Sequence, residues 1–111
     1  ASGSGMKVKI NSSKVPLFHK TIELIEEKAV PGGARSNIEH FSKWVSVKDH
    51  ISDNLKTALY DPQTSGGLLI AVAKDKVDQL VHELKTQTCL CASVIGEVTR
   101  KDDENVYIEI N

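Results

Sequence analysis

Residues 60–72 read Tyr-Asp-Pro-Gln-Thr-Ser-Gly-Gly-Leu-Leu-Ile-Ala-Val, a turn segment followed at once by an apolar segment. The turn segment, residues 61–67, is called the Asp-Pro loop below, and it contains no residue that usually fills a core. The apolar segment, residues 68–72, is called the apolar run. Its continuous hydrophobicity is typical of a strand that is covered on both faces. The stretch therefore predicts a buried strand entered through a glycine-rich loop.

Hydrophobic periodicity predicts the other strands of the sheet. Met6–Ile10 alternates apolar residues with lysines, which is the period of a half-buried strand. Similar patterns recur in a short segment after the first third of the chain, and twice near its end. The predicted strands are Met6–Ile10, 44–47, the apolar run, 89–98 and 106–110.

Helical spacing predicts three helices between these strands. The first covers 18–29 and is ended by Pro31-Gly32-Gly33, the second covers 53–60 with Asp53 as its N-cap, and the third follows Asp75 over 77–84. Residues 34–43 are polar and are predicted to be irregular. The mixture of strands and helices predicts an α/β (α+β) fold, a mixed sheet with helices packed on it.

Length and charge exclude several classes of protein. The chain has 111 residues, of which 1–5 are interpreted as a linker, a tag remnant or the tail of a junction segment, and 6–111 as a single domain. Fourteen basic and fifteen acidic residues give a net charge of −1 without blocks, so no nucleic-acid surface and no membrane span is predicted. Two cysteines and no export signal indicate a cytoplasmic protein.

The Asp-Pro loop is the first candidate site. Gly66 and Gly67 let the backbone approach a ligand closely, while Thr64 and Ser65 add hydroxyl donors, a set that suits an anion such as phosphate. Asp61 is placed to hold a metal or to orient an arginine. The alternative is a tight turn that only leads into a strand. A Walker loop is excluded because no Gly-Lys-Ser/Thr sequence follows.

Residues 31–37 form a second candidate site. Gly32 and Gly33 free the backbone, Arg35 offers a planar fork for phosphate or carboxylate, and Asn37 is suited to orient a neighbour. The alternative is a helix end with a solvated arginine.

The cysteines and histidines do not form a site that the sequence reveals. Cys89 and Cys91 are interpreted as two structural thiols of a covered strand, because a single Cys-x-Cys is half a zinc site. The four histidines are scattered. No catalytic residue, cofactor-binding residue or metal ligand is therefore assigned.

Two motifs carry a resemblance to a known family. Residues 60–72, with Asp-Pro-Gln-Thr-Ser-Gly-Gly at their centre, resemble the signature stretch of the C-terminal domain of selenophosphate synthetases (selenide, water dikinases). Residues 30–37 resemble that family's second C-terminal motif, Pro-Gly-Gly-x-Arg-x-Asn. The order and separation of the two motifs also fit, and the resemblance extends over residues 6–98.

The resemblance implies a domain of the aminoimidazole ribonucleotide synthetase-like type, partly ferredoxin-like in topology. Enzymes of this family transfer the γ-phosphoryl group of ATP to selenide, giving selenophosphate, phosphate and AMP, and they use magnesium. Their catalytic cysteine or selenocysteine, their magnesium ligands and most of their ATP contacts lie N-terminal to this domain. The resemblance therefore implies a C-terminal domain that is inactive alone and whose partner is the N-terminal domain of the same enzyme. A domain separated from that partner leaves an apolar face or a sheet edge uncovered, so we also expect a homodimer.

The resemblance also implies that residues of both motifs line a cleft between the two domains. These residues are Arg35, Asn37, Asp61, Gln63, Thr64, Ser65, Gly66 and Gly67. One alternative is a stand-alone ferredoxin-like module that binds a ligand or a protein. Another is the equivalent domain of an aminoimidazole ribonucleotide synthetase or of a hydrogenase-maturation relative.

Overall fold

A four-stranded mixed sheet is the centre of the computed structural model, which describes residues 1–111. Its strands are β1 (Met6–Ile10), β2 (Val45–Val47), β3 (Gly96–Arg100) and β4 (Ile108–Ile110). They lie in the order β2-β4-β1-β3, with β1 antiparallel to β3 and parallel to β4, which is in turn parallel to β2. This arrangement confirms the predicted α/β class with a mixed sheet.

Four α-helices accompany the sheet. They are α1 (Thr21–Glu26), α2 (Gly32–Phe41), α3 (Asp53–Leu59) and α4 (Val77–Thr86). Helix α3 packs against both α1 and α2, whereas α4 contacts the 3₁₀ turn Lys74–Lys76 that precedes it. None of these helices is both long enough and apolar enough to cross a bilayer. Helices α1, α2 and α3 therefore form one group centred on α3.

The strand register gives the sheet one apolar and one charged face. Val8 pairs with Ile108 on one side and with Val98 on the other, so apolar side chains share a face. On the opposite face Lys9 pairs with Glu109, because successive residues of a strand point to opposite faces. The alternation seen in Met6–Ile10 therefore correctly predicts β1.

A buried lysine on the charged face ties the turn before β4 to the sheet. The Nζ atom of Lys7 donates a hydrogen bond to the Asp102 carboxylate and lies 3.7 Å from a carboxylate oxygen of Glu109. The hydrogen bond to Asp102 raises the pKa of Lys7 and lowers the pKa of Asp102. Glu109 also lies 4.0 Å from Lys48, which extends the ion pairing across to the segment after β2.

One predicted strand, the apolar run, is absent, and another, 89–98, begins much later than predicted. The apolar run forms no strand, and its leucines 68 and 69 are 90% and 68% exposed. Both neighbours of β1 come from the last part of the chain, so the run has no partner in the sheet. The predicted strand 89–98 is reduced to Gly96–Arg100, because the five residues of β1 pair with those five alone.

The predicted irregular segment 34–43 is instead mostly helix α2. Pro31 does not end a helix but occupies the N-cap of this one, with an extended backbone suited to that position. Ala34, Ile38 and Phe41 recur at the spacing of one helix face, a signal that the polar residues between them obscured.

Helix boundaries also differ from the predictions. Helix α1 begins at Thr21 rather than at residue 18, because Lys20 has a left-handed backbone with φ of 65° that does not continue a helix. Ser52, not Asp53, caps α3 by accepting a hydrogen bond from the Leu55 N–H at 3.3 Å. Asp75 lies in the 3₁₀ turn, and no side chain caps α4. The apolar face predicted for α4 is confirmed, since its members are its half-buried residues: Val77, Leu80, Val81 and Leu84.

Candidate functional site

The fold brings the two sequence motifs into contact at the junction of α2 and α3. The side-chain amide of Asn37, on α2, donates a hydrogen bond of 2.9 Å to the backbone carbonyl of Tyr60, the C-cap residue directly after α3. Tyr60 directly precedes the Asp-Pro loop. The amide therefore ties the start of that loop to α2.

A glycine allows this close approach. A Cβ atom added to Gly33 would lie 2.7 Å from Cγ of Pro62, closer than such atoms approach in real proteins. The neighbouring Gly32 has open space around the same position. Gly33 is thus the glycine of the pair that the contact requires, and the pyrrolidine ring of Pro62 occupies the space of its missing side chain.

The Asp-Pro loop is folded back on itself by Gln63. The oxygen Oε1 of Gln63 lies 2.7 Å from the position that a Cβ of Gly66 would take, whereas Gly67 has open space. The backbone N–H of Gln63 donates to the carbonyl of Asp61 at 3.1 Å, which closes the first turn of the loop. Gln63 and Gly66 therefore shape the loop, and Gly67 leaves its end unobstructed.

The remaining predicted residues present free polar groups to solvent. Asp61, Thr64 and Ser65 are exposed, as is Arg35 on α2, and none of these four side chains makes an ion pair or hydrogen bond within the chain. A guanidinium and hydroxyl groups are each donors suited to an anionic group. The site is an open surface rather than an enclosed cavity, because residues 61–67 are all exposed.

Tyr60 is a site residue that the sequence did not predict. It is 8% exposed, its hydroxyl is buried without a hydrogen-bond partner, and burial raises the pKa of this phenol. Ala34, on α2, is also buried, with 1% of its surface exposed. No local sequence pattern signals this burial, which depends on the approach of α2 to the end of α3.

The cysteines do not occupy the buried positions that the sequence predicted. Cys89 and Cys91 are both exposed and free, because residues 89–95 lie outside the sheet. No group of three or more histidine, cysteine or acidic side chains is arranged to hold a metal ion. Asp61 is the one carboxylate of the Asp-Pro loop, so the junction offers no set of ligands that would fit magnesium.

Comparison with known proteins identifies a family that matches nearly the whole chain. The sequence family described as "AIR synthase related protein, C-terminal domain" matches residues 1–109. The chain is 39% identical over 106 residues to the selenide, water dikinase of Pelobacter propionicus, an alignment that covers 96% of this chain and 30% of that protein.

Two further relatives show the same partial coverage. The chain is 34% identical over 108 residues to the selenide, water dikinase of Clostridioides difficile, covering 97% of the chain and 31% of the relative. It is 36% identical over 108 residues to that of Yersinia pestis, covering 97% of the chain and 30% of the relative. The chain thus spans about a third of the length of these relatives, and their similarity confirms the resemblance to selenophosphate synthetases. With the family match over residues 1–109, the chain belongs to the AIR synthase related proteins as their C-terminal domain.

Proposed function

We propose that this chain is the C-terminal part of a selenide, water dikinase and forms one wall of the active-site cleft. The reaction would transfer the γ-phosphoryl group of ATP to selenide and the β-phosphoryl group to water, with selenophosphate, phosphate and AMP as products. The observation that carries this proposal is the junction of the two motifs, in which Asn37 holds Tyr60 and Gly33 packs on Pro62. The relatives that share the sequence are named for this activity.

The free donors at the junction support an anion-facing role. The guanidinium of Arg35 and the hydroxyls of Thr64 and Ser65 have no partners within the chain, so they are available to a phosphate group or to the selenium intermediate. The backbone of Gly66 and Gly67 borders the same surface, and Asp61 and Gln63 set the shape of the loop. The chain contributes donors and shape, while the nucleophile lies elsewhere in the enzyme.

Magnesium and most of the ATP contacts belong, in this proposal, to the rest of the enzyme. The junction has a single loop carboxylate, Asp61, and the chain has no cluster of acidic or histidine ligands. Mg²⁺ is usually bound by one or two carboxylates together with substrate phosphates, so Asp61 supplies at most one ligand and the proposal places the others in the rest of the enzyme. No step of the reaction is therefore assigned to a metal held by these residues.

The proposal also includes partners for the exposed apolar surface. The apolar run is a hydrophobic segment in contact with solvent, and such segments favour association with another surface. The N-terminal domain of the same enzyme is the first partner we propose, and a second subunit is the next. A cytoplasmic location is part of the same proposal.

A chimeric enzyme tests the proposal. This chain would replace the matching third of the Pelobacter propionicus enzyme, and selenide-dependent formation of AMP from ATP would be measured. We expect activity in the chimera and a loss of about tenfold or more in kcat/KM for Arg35→Ala, because a charge-assisted hydrogen bond contributes about 1.5–3 kcal/mol. Lys85→Ala, which changes an exposed side chain on α4, is the matched control. A folded chimera without activity would reject the proposal.

A binding measurement on the chain alone tests the division of roles. Calorimetric titration with Mg-ATP is expected to give no saturable heat, because the junction lacks a metal site. Saturable, stoichiometric binding of Mg-ATP would reject the proposal that this chain only forms a wall of the cleft. The Asp-Pro loop would then be a candidate nucleotide site in its own right.

A further inference from the structure

Cys89 and Cys91 lie together in an exposed segment that the proposed function does not use. The segment connects the end of α4 at Thr86 to the start of β3 at Gly96. Both thiols are free and exposed, and the residue between them, Leu90, is 98% exposed. They are the only two cysteines of the chain. Any thiol chemistry of these 111 residues therefore takes place at this segment.

The backbone around the two thiols is free to bend. Thr88 has a left-handed backbone with φ of 60°, and the N–H of Cys89 donates to the carbonyl of Leu84 at 3.2 Å, so the chain turns just before the pair. None of the backbone hydrogen bonds of the turns and loops involves residues 90–94. No ladder of hydrogen bonds has to break for Cys89 and Cys91 to approach one another.

Bending is the geometric condition for a disulfide between residues separated by one position. The two Cβ atoms of a disulfide lie about 3.5–4.5 Å apart. In a regular strand, two residues advance about 6.6–6.8 Å and side chains on one face stand nearly parallel, so the bond does not form there. The segment that contains Cys89 and Cys91 lies outside the sheet, so strand pairing does not hold the two side chains apart.

We propose that Cys89 and Cys91 form a reversible intramolecular disulfide by exchange with a low-molecular-weight disulfide such as oxidised glutathione. The thiolate of one cysteine attacks a sulfur of the small disulfide, forming a mixed disulfide and releasing one thiol. The second cysteine then attacks the mixed disulfide and releases the other thiol. The two cysteines lose two electrons and two protons, and the small disulfide is reduced to two thiols.

Proximity favours the internal bond over other products. The second thiol is one residue from the first, so its effective concentration at the mixed disulfide is that of a very short linker. A strained, exposed disulfide has a relatively oxidising potential, so a thiol reductant readily reverses it.

Peptide mapping tests this proposal directly. The 111-residue chain, at low concentration, is incubated with oxidised glutathione, quenched with acid, alkylated with iodoacetamide and digested with trypsin. Cleavage after Lys85 and Arg100 releases one peptide, residues 86–100, that contains both cysteines and no other basic residue before its end. We expect this peptide to lose two hydrogens in mass and to lose alkylation at both cysteines together, with full recovery after dithiothreitol.

Single variants provide the controls. Cys89→Ser and Cys91→Ser each leave one exposed thiol, and we expect each variant to carry one glutathione, since the resolving thiol is missing. In the unmodified chain, two separate glutathione adducts or two alkylated thiols at the same glutathione ratio would overturn the proposal. Disulfide-linked dimers as the main product would overturn it as well. The test does not depend on the proposed kinase activity.

Discussion

The junction of α2 with α3 and the apolar run lie only a few residues apart, yet the less hydrophobic of the two is the better packed. Tyr60, at the junction, is 8% exposed, whereas Leu68, at the start of the run, is 90% exposed. The junction has partners of fixed shape: Gly33 fits the Pro62 ring, and Asn37 matches the Tyr60 carbonyl. The run has no neighbouring strand. Burial in this chain therefore follows from available partners rather than from hydrophobicity alone.

The strongest test of this comparison is to fill the space that Gly33 leaves open. Gly33→Ala should place a methyl group 2.7 Å from Cγ of Pro62, and we expect it to lower the free energy of unfolding by about 1–3 kcal/mol because overpacking forces backbone shifts. Urea denaturation measures the change. Gly32→Ala is the matched control, since open space surrounds that position. Equal losses for the two variants would contradict a specific contact with Pro62.

A smaller effect is expected from removing the hydrogen bond at the junction. Asn37→Ala leaves the Tyr60 carbonyl without its side-chain donor, and we expect a loss of about 1 kcal/mol in the free energy of unfolding. Denaturant unfolding and hydrogen exchange at residues 60–63 measure the global and local effects. Asn54→Ala is the control, because its amide bonds an exposed carboxylate of Glu26 at 3.2 Å. If Asn54→Ala costs as much as Asn37→Ala, the bond to Tyr60 has no special role.

A third test uses the charged face of the sheet, where Lys7 and Asp102 form an ion pair. The hydrogen bond from Lys7 lowers the pKa of Asp102 below 3.8. A carboxyl group with a lowered folded-state pKa stabilises the protein above its unfolded-state pKa, and this stabilisation is lost as the pH falls through the folded-state value. Asp102→Asn should therefore flatten the decline in the urea midpoint below pH 3.8.

The same pair predicts a change at high pH with the opposite sign. The pKa of Lys7 is raised above 10.5 by the Asp102 hydrogen bond, so its contribution is present below 10.5 and is lost as the pH rises through the folded-state value. Asp102→Asn should flatten this decline too. Asp49→Asn changes an exposed aspartate outside any ion pair and serves as the control. An unchanged pH profile in Asp102→Asn would show that the pair does not contribute.

Local patterns predicted the elements that carry a regular hydrophobic period. The alternation of Met6–Ile10 identified β1, and the spacing of Val77, Leu80, Val81 and Leu84 identified α4. The sequence could not predict that β4 would lie beside β1, because strand order depends on which distant segments meet. In that order, no strand lies beside the apolar run. The continuous hydrophobicity of the run also contains no alternation that would define a strand register.

The candidate site also contains residues that local sequence motifs predict and contacts that depend on distant parts of the chain. Arg35, Asn37 and the Asp-Pro loop were identified from residue types and motifs, which report chemistry directly. The contact of Gly33 with Pro62 depends on how closely α2 approaches the end of α3, and no local pattern reports that distance. Tyr60 was missed for the same reason, since its burial comes from packing across the junction.

The smallest effect on stability is expected in the apolar run itself. Leu69→Lys changes a side chain that is 68% exposed, so we expect the free energy of unfolding to change by no more than about 0.5 kcal/mol. Ile110→Ala, at a position that is 5% exposed, is the contrasting variant and should cost about 2–5 kcal/mol. Leu69→Lys should nevertheless weaken self-association in sedimentation experiments, because a charge placed in an exposed apolar surface opposes its burial against another chain. A large loss of stability in Leu69→Lys would mean that the run is packed within the domain, and the contrast with the junction would then disappear.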